Sequence, residues 1–269
     1  MDNARLRLCR SLLFLPASNP RALAKARALA VDMVVLDLED AVKPEDKSEA
    51  RAAAAAAVEQ GFGDRIAAIR MNAIGSAWYG QDVVALRASK ADLVVLPKAE
   101  SREQVHDTRR LVERPVLAMI ESAAGVLAAP SIAAEAVGLI AGTNDLSADL
   151  GLPLSADRRG LAHALQAVVL AARAGGVAAY DGVYNGLDDD DGLVRQCEEG
   201  RAFGFDGKSL IHPSQVATAN RIFSPGEAEI EAARRLSAAA AGGAQRHEGR
   251  MIEAMHVAQA EALIAKARR

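Results

Sequence analysis

Charged side chains stand at the ends of short apolar segments in this sequence, where they could assemble a reactive site. Glu121 and Asp145 follow two different apolar segments, and Arg70 lies at the end of a third. Carboxylates that crowd together raise each other's pKa unless a cation neutralises them. Oxygen donors without His or Cys suit Mg²⁺ or Mn²⁺ better than Zn²⁺. The residue types therefore favour a divalent metal site, with ion pairing among the same groups as the alternative.

Two basic residues suggest what chemistry would take place beside such a metal. The guanidinium of Arg70 would bind a carboxylate or enolate oxygen through a planar pair of donors, or serve as a counter-ion for the acidic run Asp37–Asp40. Lys98 raises a rival chemistry, because a desolvated lysine can form a Schiff base with a carbonyl substrate. The neighbouring acids would raise the pKa of Lys98 and keep it protonated, which argues against that role.

These residues depend for their position on the elements that precede them. Eight short segments rich in apolar and β-branched residues alternate with longer helical patterns, which is typical of βα units around a parallel sheet. The predicted strands are Ser11–Leu15, Met33–Leu38, Ile66–Met71, Leu93–Leu96, Val116–Ile120, Gly138–Ala141, Val177–Asp181 and Gly207–Ile211. Their number favours a closed (β/α)8 TIM barrel, with a doubly wound open sheet as the alternative. In a barrel the strand ends meet at one rim, so the charged residues would converge.

Capping residues mark the starts of the helices between these strands. The predicted starts lie at Ser18–Pro20, Lys43–Glu45, Ser101–Gln104 and Ser155–Asp157, the last opening a long helix through Ala174. The acidic run Asp188–Asp191 has a catalytic interpretation, but carboxylates are also favoured at a helix start by the helix dipole. We therefore interpret this run as the start of another helix.

The strand pattern stops after His212-Pro213, and the remaining sequence predicts two helices, Pro225–Ala241 and Met251–Ala267. The predicted domains are a barrel over residues 1–222, which carries the metal site, and a helical extension over residues 223–269. The extension would pack on the barrel or form a lid onto a neighbouring subunit.

The composition argues against two classes of partner, nucleic acid and membranes. A net charge of −3 and 3% aromatic residues provide neither a basic field nor a stacking platform for nucleic acid. No run approaches the roughly 18 to 20 apolar residues that span a bilayer, so no membrane partner is expected. The two cysteines form no disulfide framework, which favours a reducing, cytoplasmic setting.

Seven motifs occur in order along the chain and together carry a resemblance. They are Arg10–Pro16 (RSLLFLP), Asp37–Val42 (DLEDAV), Ile69–Asn72 (IRMN), Leu96–Glu100 (LPKAE), Ile120–Gly125 (IESAAG), Gly142–Leu146 (GTNDL) with Asp149–Gly151, and Gly204–Pro213 (GFDGKSLIHP). On these motifs the chain resembles the citrate lyase β-subunit-like family, within the malyl-CoA and citramalyl-CoA lyase group of metal-dependent aldolases.

The resemblance implies roles for the rim residues. Glu121 and Asp145 would be the Mg²⁺ ligands, and Arg70 with Glu121 would contact the substrate. Asp37, Glu39 and Asp40 would lie just behind and hold metal-bound waters, and Lys98 would lie behind the metal ligands as well. Pro16 and Asn72 are further candidates for substrate contact. Coenzyme A contacts are expected at N-terminal positions, with Pro16, Arg21 and Lys25 as candidates; the last two could equally be solvated charges.

A proton-transfer group is expected in the C-terminal segment. Several relatives have an aspartate in a Met-Ile-Asp sequence that reaches into a neighbouring subunit's site. Here the corresponding residues are Met251-Ile252-Glu253. A glutamate keeps the carboxylate but extends it by one methylene, about 1 Å, which matters for proton transfer. Glu253 is the candidate acid/base group, and an ordinary solvent-facing helix residue is the alternative.

The expected activity is a Mg²⁺-dependent C–C lyase acting on a 3-hydroxy-3-carboxy acyl thioester such as malyl-CoA, citramalyl-CoA or citryl-CoA. A retro-Claisen step would release acetyl-CoA and an oxo acid from this substrate. Three alternatives stay open: a thioesterase variant of the same site, a Schiff-base aldolase using Lys98, and an inactive barrel that binds an acyl-carrier protein. The resemblance also implies a homo-oligomer, a trimer or hexamer.

Overall fold

A closed barrel of eight parallel strands forms the centre of the protein, which is described by a computed structural model over residues 3–153, 157–239 and 243–267. The strands are β1 Ser11–Pro16, β2 Met33–Asp37, β3 Ile66–Arg70, β4 Leu93–Leu96, β5 Val116–Ile120, β6 Gly138–Ala141, β7 Ala178–Asp181 and β8 Gly207–Leu210. Each pairs with the next in sequence order, and β8 pairs with β1, which closes the barrel. The predicted TIM barrel is confirmed, and the open sheet is wrong.

Alternate residues of each strand point into the barrel, where they form the core. The lower layers are apolar and buried, and they include Leu12, Met33, Ile66, Leu93, Leu117 and Ile140. Because the alternation continues to the strand ends, the next inward positions on β2 and β3 are the charged residues Asp37 and Arg70, which are register partners. The apolar layers therefore close the floor beneath a polar rim.

Ten helices accompany the strands in the described residues; Leu6 of the first packs on the interior apolar cluster, and the seventh contributes residues to the cavity at the rim. The ten helices are α1 Asn3–Arg7, α2 Pro20–Ala26, α3 Lys47–Gln60, α4 Tyr79–Ala88, α5 Arg102–Val112, α6 Ala123–Ala133, α7 Thr143–Asp149, α8 Ala162–Ala174, α9 Asp190–Phe203 and α10 Gln215–Phe223. Ser101 and Gln104 form the predicted capping box at α5. Asp189 accepts a hydrogen bond from the Gly192 amide at the start of α9, so its carboxylate caps that helix.

Two predicted helices begin later than expected. The segment opened by Lys43-Pro44 is first a short 3-10 turn, Pro44–Asp46, and α3 follows from Lys47. The start predicted at Ser155 lies partly outside the described residues; Asp157 caps a second 3-10 turn, Arg158–Leu161, before α8. In both places a 3-10 turn, common at helix ends, takes up the first residues.

The described chain separates into two compact units, residues 1–220 and 221–269. The second unit contains α11 Glu227–Ala239, a hairpin of β9 Gln245–His247 and β10 Arg250–Ile252, and α12 Ala254–Ala267. The helix predicted from Met251 is therefore wrong at its start, and the end predicted at Ala241 lies outside the described residues. Within the described residues, no helix is long and apolar enough to cross a membrane.

Candidate active site

A cavity of about 380 Å³ opens at the carboxyl ends of the barrel strands. The charged residues in its lining are Asp37, Asp40, Arg70, Glu121 and Asp145. Strand geometry explains their meeting: Asp37 and Arg70 end neighbouring strands, Glu121 directly follows β5, and Asp145 lies in the first turn of α7 after β6. The structure thus brings together groups that are up to 108 positions apart in sequence, from Asp37 to Asp145 (145 − 37).

Arg70 is held rigidly at one side of this cavity. Its Nε and Nη2 donate to the two carboxylate oxygens of Asp37 at 2.7 and 2.5 Å, and Nη1 lies 3.0 Å from Glu39 Oε2. Asp40 Oδ2 is 3.9 Å from Nη1, and the ring of Phe14 lies 5.3 Å from the guanidinium carbon. Because a guanidinium has five N–H donors, these contacts fix its plane and still leave donors. Arg70 is a counter-ion to the acidic run and also lines the cavity.

The Glu121 carboxylate is positioned by the backbone of Lys98. The Lys98 amide donates to Glu121 Oε1 at 2.7 Å, from a left-handed backbone conformation with φ of 52°. Burial, together with the nearby carboxylates of Glu39 and Asp145, raises the pKa of Glu121 to about 7. Burial is the larger cause of this shift, and the neighbouring carboxylates add to it; a bound cation would stabilise the ionised form against both.

The Lys98 ammonium contacts the same acidic cluster. Its Nζ lies 3.3 Å from Glu39 Oε1. Partial burial acts to lower the pKa of Lys98, but the carboxylates of Glu39 and Asp40 outweigh it and raise that pKa. A protonated amine is not a nucleophile, so the geometry disfavours a Schiff base at this lysine.

The sequence profile of the HpcH/HpaI aldolase/citrate lyase family matches residues 10–213, which include every strand of the barrel. The chain belongs to this family. The resemblance inferred from the seven motifs is thereby confirmed, and the family is one of enzymes.

Relatives within the HpcH/HpaI aldolase/citrate lyase family have more than one activity. A (3S)-malyl-CoA thioesterase of Cereibacter sphaeroides is 43% identical, over 96% of this chain and 94% of its own. The citrate lyase subunit beta of Leuconostoc mesenteroides is 33% identical, over 89% of this chain and 84% of its own. The solved CitE protein of Mycobacterium tuberculosis, in complex with magnesium, acetoacetate and coenzyme A, is 36% identical with a TM-score of 0.85, over 98% of this chain and 100% of that chain.

The donors in the cavity fit a magnesium ion. Mg²⁺ commonly takes one or two protein carboxylates and completes its shell with water and substrate oxygens. Glu121 and Asp145 supply two carboxylates to one cavity. Among the described residues no group of three or more His, Cys, Asp or Glu is placed to hold a metal ion, so these two carboxylates would be the protein's share of the ligands. Gly142 leaves the space in which the Glu121 carboxylate lies, since a Cβ there would be 2.5 Å from Oε2.

The residues predicted as further contacts to substrate or coenzyme A lie in three different environments. Pro16 lines the cavity. Asn72 is buried and its side-chain amide donates to Asp82 at 2.7 Å, on the side of α4. Arg21 and Lys25 are both exposed on α2.

Glu253 lies in the second unit, between β10 and α12, where its main-chain amide donates to His256 Nδ1 at 3.0 Å. Glu253 is therefore the residue directly before α12.

Sequence reasoning missed several residues that line the cavity. They are Phe14, Ala41, Met119, Ile140, Ala141, Gly142, Thr143, Asn144, Val183, Ser209 and Ile211. Strand alternation could have identified Ser209 and Ile211, because they follow the inward position Gly207 at intervals of two.

Proposed function

We propose that this chain is a Mg²⁺-dependent enzyme that acts on a 3-carboxy-3-hydroxyacyl thioester of coenzyme A, such as malyl-CoA or citramalyl-CoA. The observation that carries the proposal is the convergence of Arg70, Glu121 and Asp145 on one cavity at the barrel mouth. The relative that was solved with magnesium, acetoacetate and coenzyme A supports the same class of ligands here.

In this proposal each charged residue has a distinct task. Glu121 and Asp145 would hold the ion, and Mg²⁺ when bound supplies a Lewis acid that polarises the oxygens of the hydroxy acid. Arg70, fixed by Asp37, presents its remaining N–H donors to a negative oxygen of the substrate. The Lys98 amide holds the Glu121 carboxylate in place. Glu39 and Asp40 are carboxylate neighbours of Arg70 Nη1 and help to hold the guanidinium.

The leading reaction is cleavage of the bond between C2 and C3 of the acyl chain. The 3-hydroxyl loses its proton, the C2–C3 electron pair moves onto the thioester as an enolate, and an oxo acid departs. Protonation of the enolate carbon then yields acetyl-CoA. Glu253 is the proposed acid/base group, supplied by a neighbouring subunit of a cytoplasmic homo-oligomer.

Thioester hydrolysis is the second candidate, and the 43% identical malyl-CoA thioesterase favours it. Water adds to the thioester carbonyl, and the thiol leaves with a proton, which yields the free hydroxy acid and coenzyme A. Both reactions place negative charge on the thioester oxygen, so one arrangement of donors serves either.

The products decide between these reactions. Purified protein is incubated with malyl-CoA, citramalyl-CoA and citryl-CoA, with Mg²⁺ or with EDTA, and the products are separated by chromatography. A lyase releases acetyl-CoA with an oxo acid, whereas a thioesterase releases free coenzyme A with the intact hydroxy acid. A carrier-protein thioester is included, because the same acyl group on a carrier would bind the same cavity.

The Glu121→Gln variant tests the site itself. Glutamine keeps an acceptor for the Lys98 amide but loses the charge, so we expect turnover to fall by about 100-fold or more. Glu59→Gln is the matched control, since Glu59 is exposed and pairs with Lys90 on the surface. Turnover that survives both EDTA and Glu121→Gln, with Lys98 trapped by borohydride, would establish the Schiff-base alternative instead.

A further inference from the structure

The cavity has a charged side and an apolar side. The carboxylates and Arg70 come from β2, β3, β5 and β6, or from the residues that follow them. The opposite side is built from β8, β1 and the segment after β7, with Phe14, Pro16, Val183, Ser209 and Ile211. Among these described lining residues of the apolar side, Ser209 is the one with a polar side chain.

The Ser209 side chain points into the barrel because its neighbour points out. Lys208 Nζ, on the outer face of β8, lies 2.8 Å from Asp181 Oδ2 and 3.0 Å from Gln196 Oε1. Successive residues of a strand face opposite ways, so Ser209 faces the barrel interior. Its register partner on β1 is Leu12, which belongs to the interior apolar layer.

The Ser209 hydroxyl is buried without a hydrogen-bond partner. The residue is 1% exposed, and within the described part of the chain no donor or acceptor meets its Oγ. A buried hydroxyl without a partner is destabilising, whereas an alanine of similar shape would have no such cost. An unsatisfied polar group in the wall of a cavity therefore points to a partner that arrives with the ligand.

We infer that Ser209 donates a hydrogen bond to the thioester carbonyl oxygen of the bound substrate, an inference that rests on the proposed function. The hydroxy acid would be held by Glu121, Asp145 and Arg70, so the acyl carbon bearing sulfur extends toward the apolar side of the cavity. The serine hydroxyl turns about a single bond to reach that oxygen. The bond strengthens as negative charge develops there, in C–C cleavage and in hydrolysis alike.

Ser209→Ala tests this assignment because it should lower kcat without lowering the melting temperature. We expect kcat to fall by about tenfold or more while KM changes by less than about threefold, because the hydrogen bond strengthens in the transition state. The melting temperature of the free protein should stay constant or rise by about 1–3 °C, because the variant removes an unsatisfied group. Ser209→Cys replaces the hydroxyl by a larger group that is only a weak donor, and its kcat should resemble that of the alanine variant.

Ser11→Ala is the matched control. Ser11 is also a buried serine of the barrel, but its hydroxyl donates to Asn220 Oδ1 at 2.7 Å and accepts from the Asp32 amide at 3.2 Å. Its removal should lower the melting temperature by about 2–4 °C and leave kcat unchanged.

Three results would overturn the assignment. If Ser209→Ala retains the wild-type kcat, an ordered water satisfies the hydroxyl. If it melts lower, as Ser11→Ala should, the hydroxyl is already partnered in the free protein. If Ser209→Cys retains wild-type kcat while the alanine variant does not, an atom that fills the γ position is enough and the strong hydroxyl donor is not needed. A wild type that turns over no thioester would instead overturn the proposed function, and the assignment with it.

Discussion

Gly142 shows how little room surrounds the Glu121 carboxylate. A Cβ at this position would lie 2.4 Å from Glu121 Cβ and 2.5 Å from Oε2, closer than carbon and oxygen atoms approach without a shift. We predict that Gly142→Ala displaces the carboxylate and lowers Mg²⁺-dependent turnover by about tenfold or more, since small misplacements at a reacting centre are costly. Steady-state kinetics across a Mg²⁺ titration measure the effect.

Gly80→Ala provides the comparison for this prediction. Gly80 is exposed in α4, and no atom would lie within 4 Å of a Cβ there. Alanine should raise the free energy of unfolding by about 0.5–1 kcal/mol through helix propensity and leave turnover unchanged. Equal turnover in the two variants would contradict the close approach of Gly142 to Glu121.

Residue types predicted which charged residues line the cavity better than they predicted the contacts of those residues. The strand-end positions of Asp37, Arg70, Glu121 and Asp145 follow from βα periodicity, because every strand of a barrel ends at the same rim. Which partner each side chain takes depends on side-chain directions that no local pattern encodes. Asn72 accordingly bonds to Asp82, on an outer helix.

The strands themselves were predictable to within one residue at each end. Strands buried on both faces are short, uniformly apolar runs, and the charged or turn residues that follow them mark where they stop. The hairpin of β9 and β10 was missed, because its six residues include polar and charged side chains without apolar alternation. Its signal was the Glu248-Gly249 pair, whose φ values of 47° and 79° suit a two-residue turn.

A buried ion cluster joins β7, β8 and α9 with the 3-10 turn before α8. Lys208 Nζ lies 2.8 Å from Asp181 Oδ2, and Arg158 Nη2 lies 2.6 Å from Asp181 Oδ1, with Lys208 and Asp181 fully buried. We predict that Lys208→Met lowers the free energy of unfolding by about 3 kcal/mol, because removal of one partner leaves buried charge undercompensated. Urea denaturation at neutral pH measures this difference.

The exposed pair of Lys90 with Glu59 serves as the control for Lys208. Their side chains are 68% and 58% exposed, so water already solvates both charges. Lys90→Met should change the free energy of unfolding by less than about 1 kcal/mol. If Lys208→Met and Lys90→Met had the same free energy of unfolding, the buried cluster would not stabilise the fold.

The same cluster predicts an acid sensitivity. Burial alone would raise the pKa of Asp181, but Lys208 and Arg158 outweigh it and hold the pKa below its usual 3.8. A group whose pKa is lowered by folding stabilises the protein above the unfolded pKa, and that stability is lost as the pH falls through the folded pKa. The free energy of unfolding should therefore fall below pH 3.8.

The free energy of unfolding, measured by urea denaturation from about pH 5 down to about pH 2, should fall more steeply below pH 3.8 for the wild type than for Lys208→Met, in which Asp181 has lost one of its cations. If the free energy of unfolding fell with pH equally steeply in both proteins, Asp181 would not be the source of the acid sensitivity.

Complementation between two inactive variants tests whether Glu253 acts in the site of a neighbouring subunit. If Glu253 serves the barrel of a neighbouring subunit, a barrel variant and a tail variant should complement each other in a mixed oligomer. Glu121→Gln and Glu253→Ala are each expected to be inactive alone. Co-expression at equal levels should restore activity at about a quarter of the sites, since half of the barrels are intact and half of those meet an intact tail.

Complementation separates a shared site from a site within one chain. If Glu253 acted on its own barrel, every subunit of the mixture would carry one defect in its own site, and the mixture would stay inactive. If Glu253→Ala alone retained full turnover, the residue would be an ordinary helix residue, whatever the assembly. Size-exclusion chromatography with light scattering must first find an oligomer that contains both variants, because only exchange of subunits within one particle can produce the mixed site.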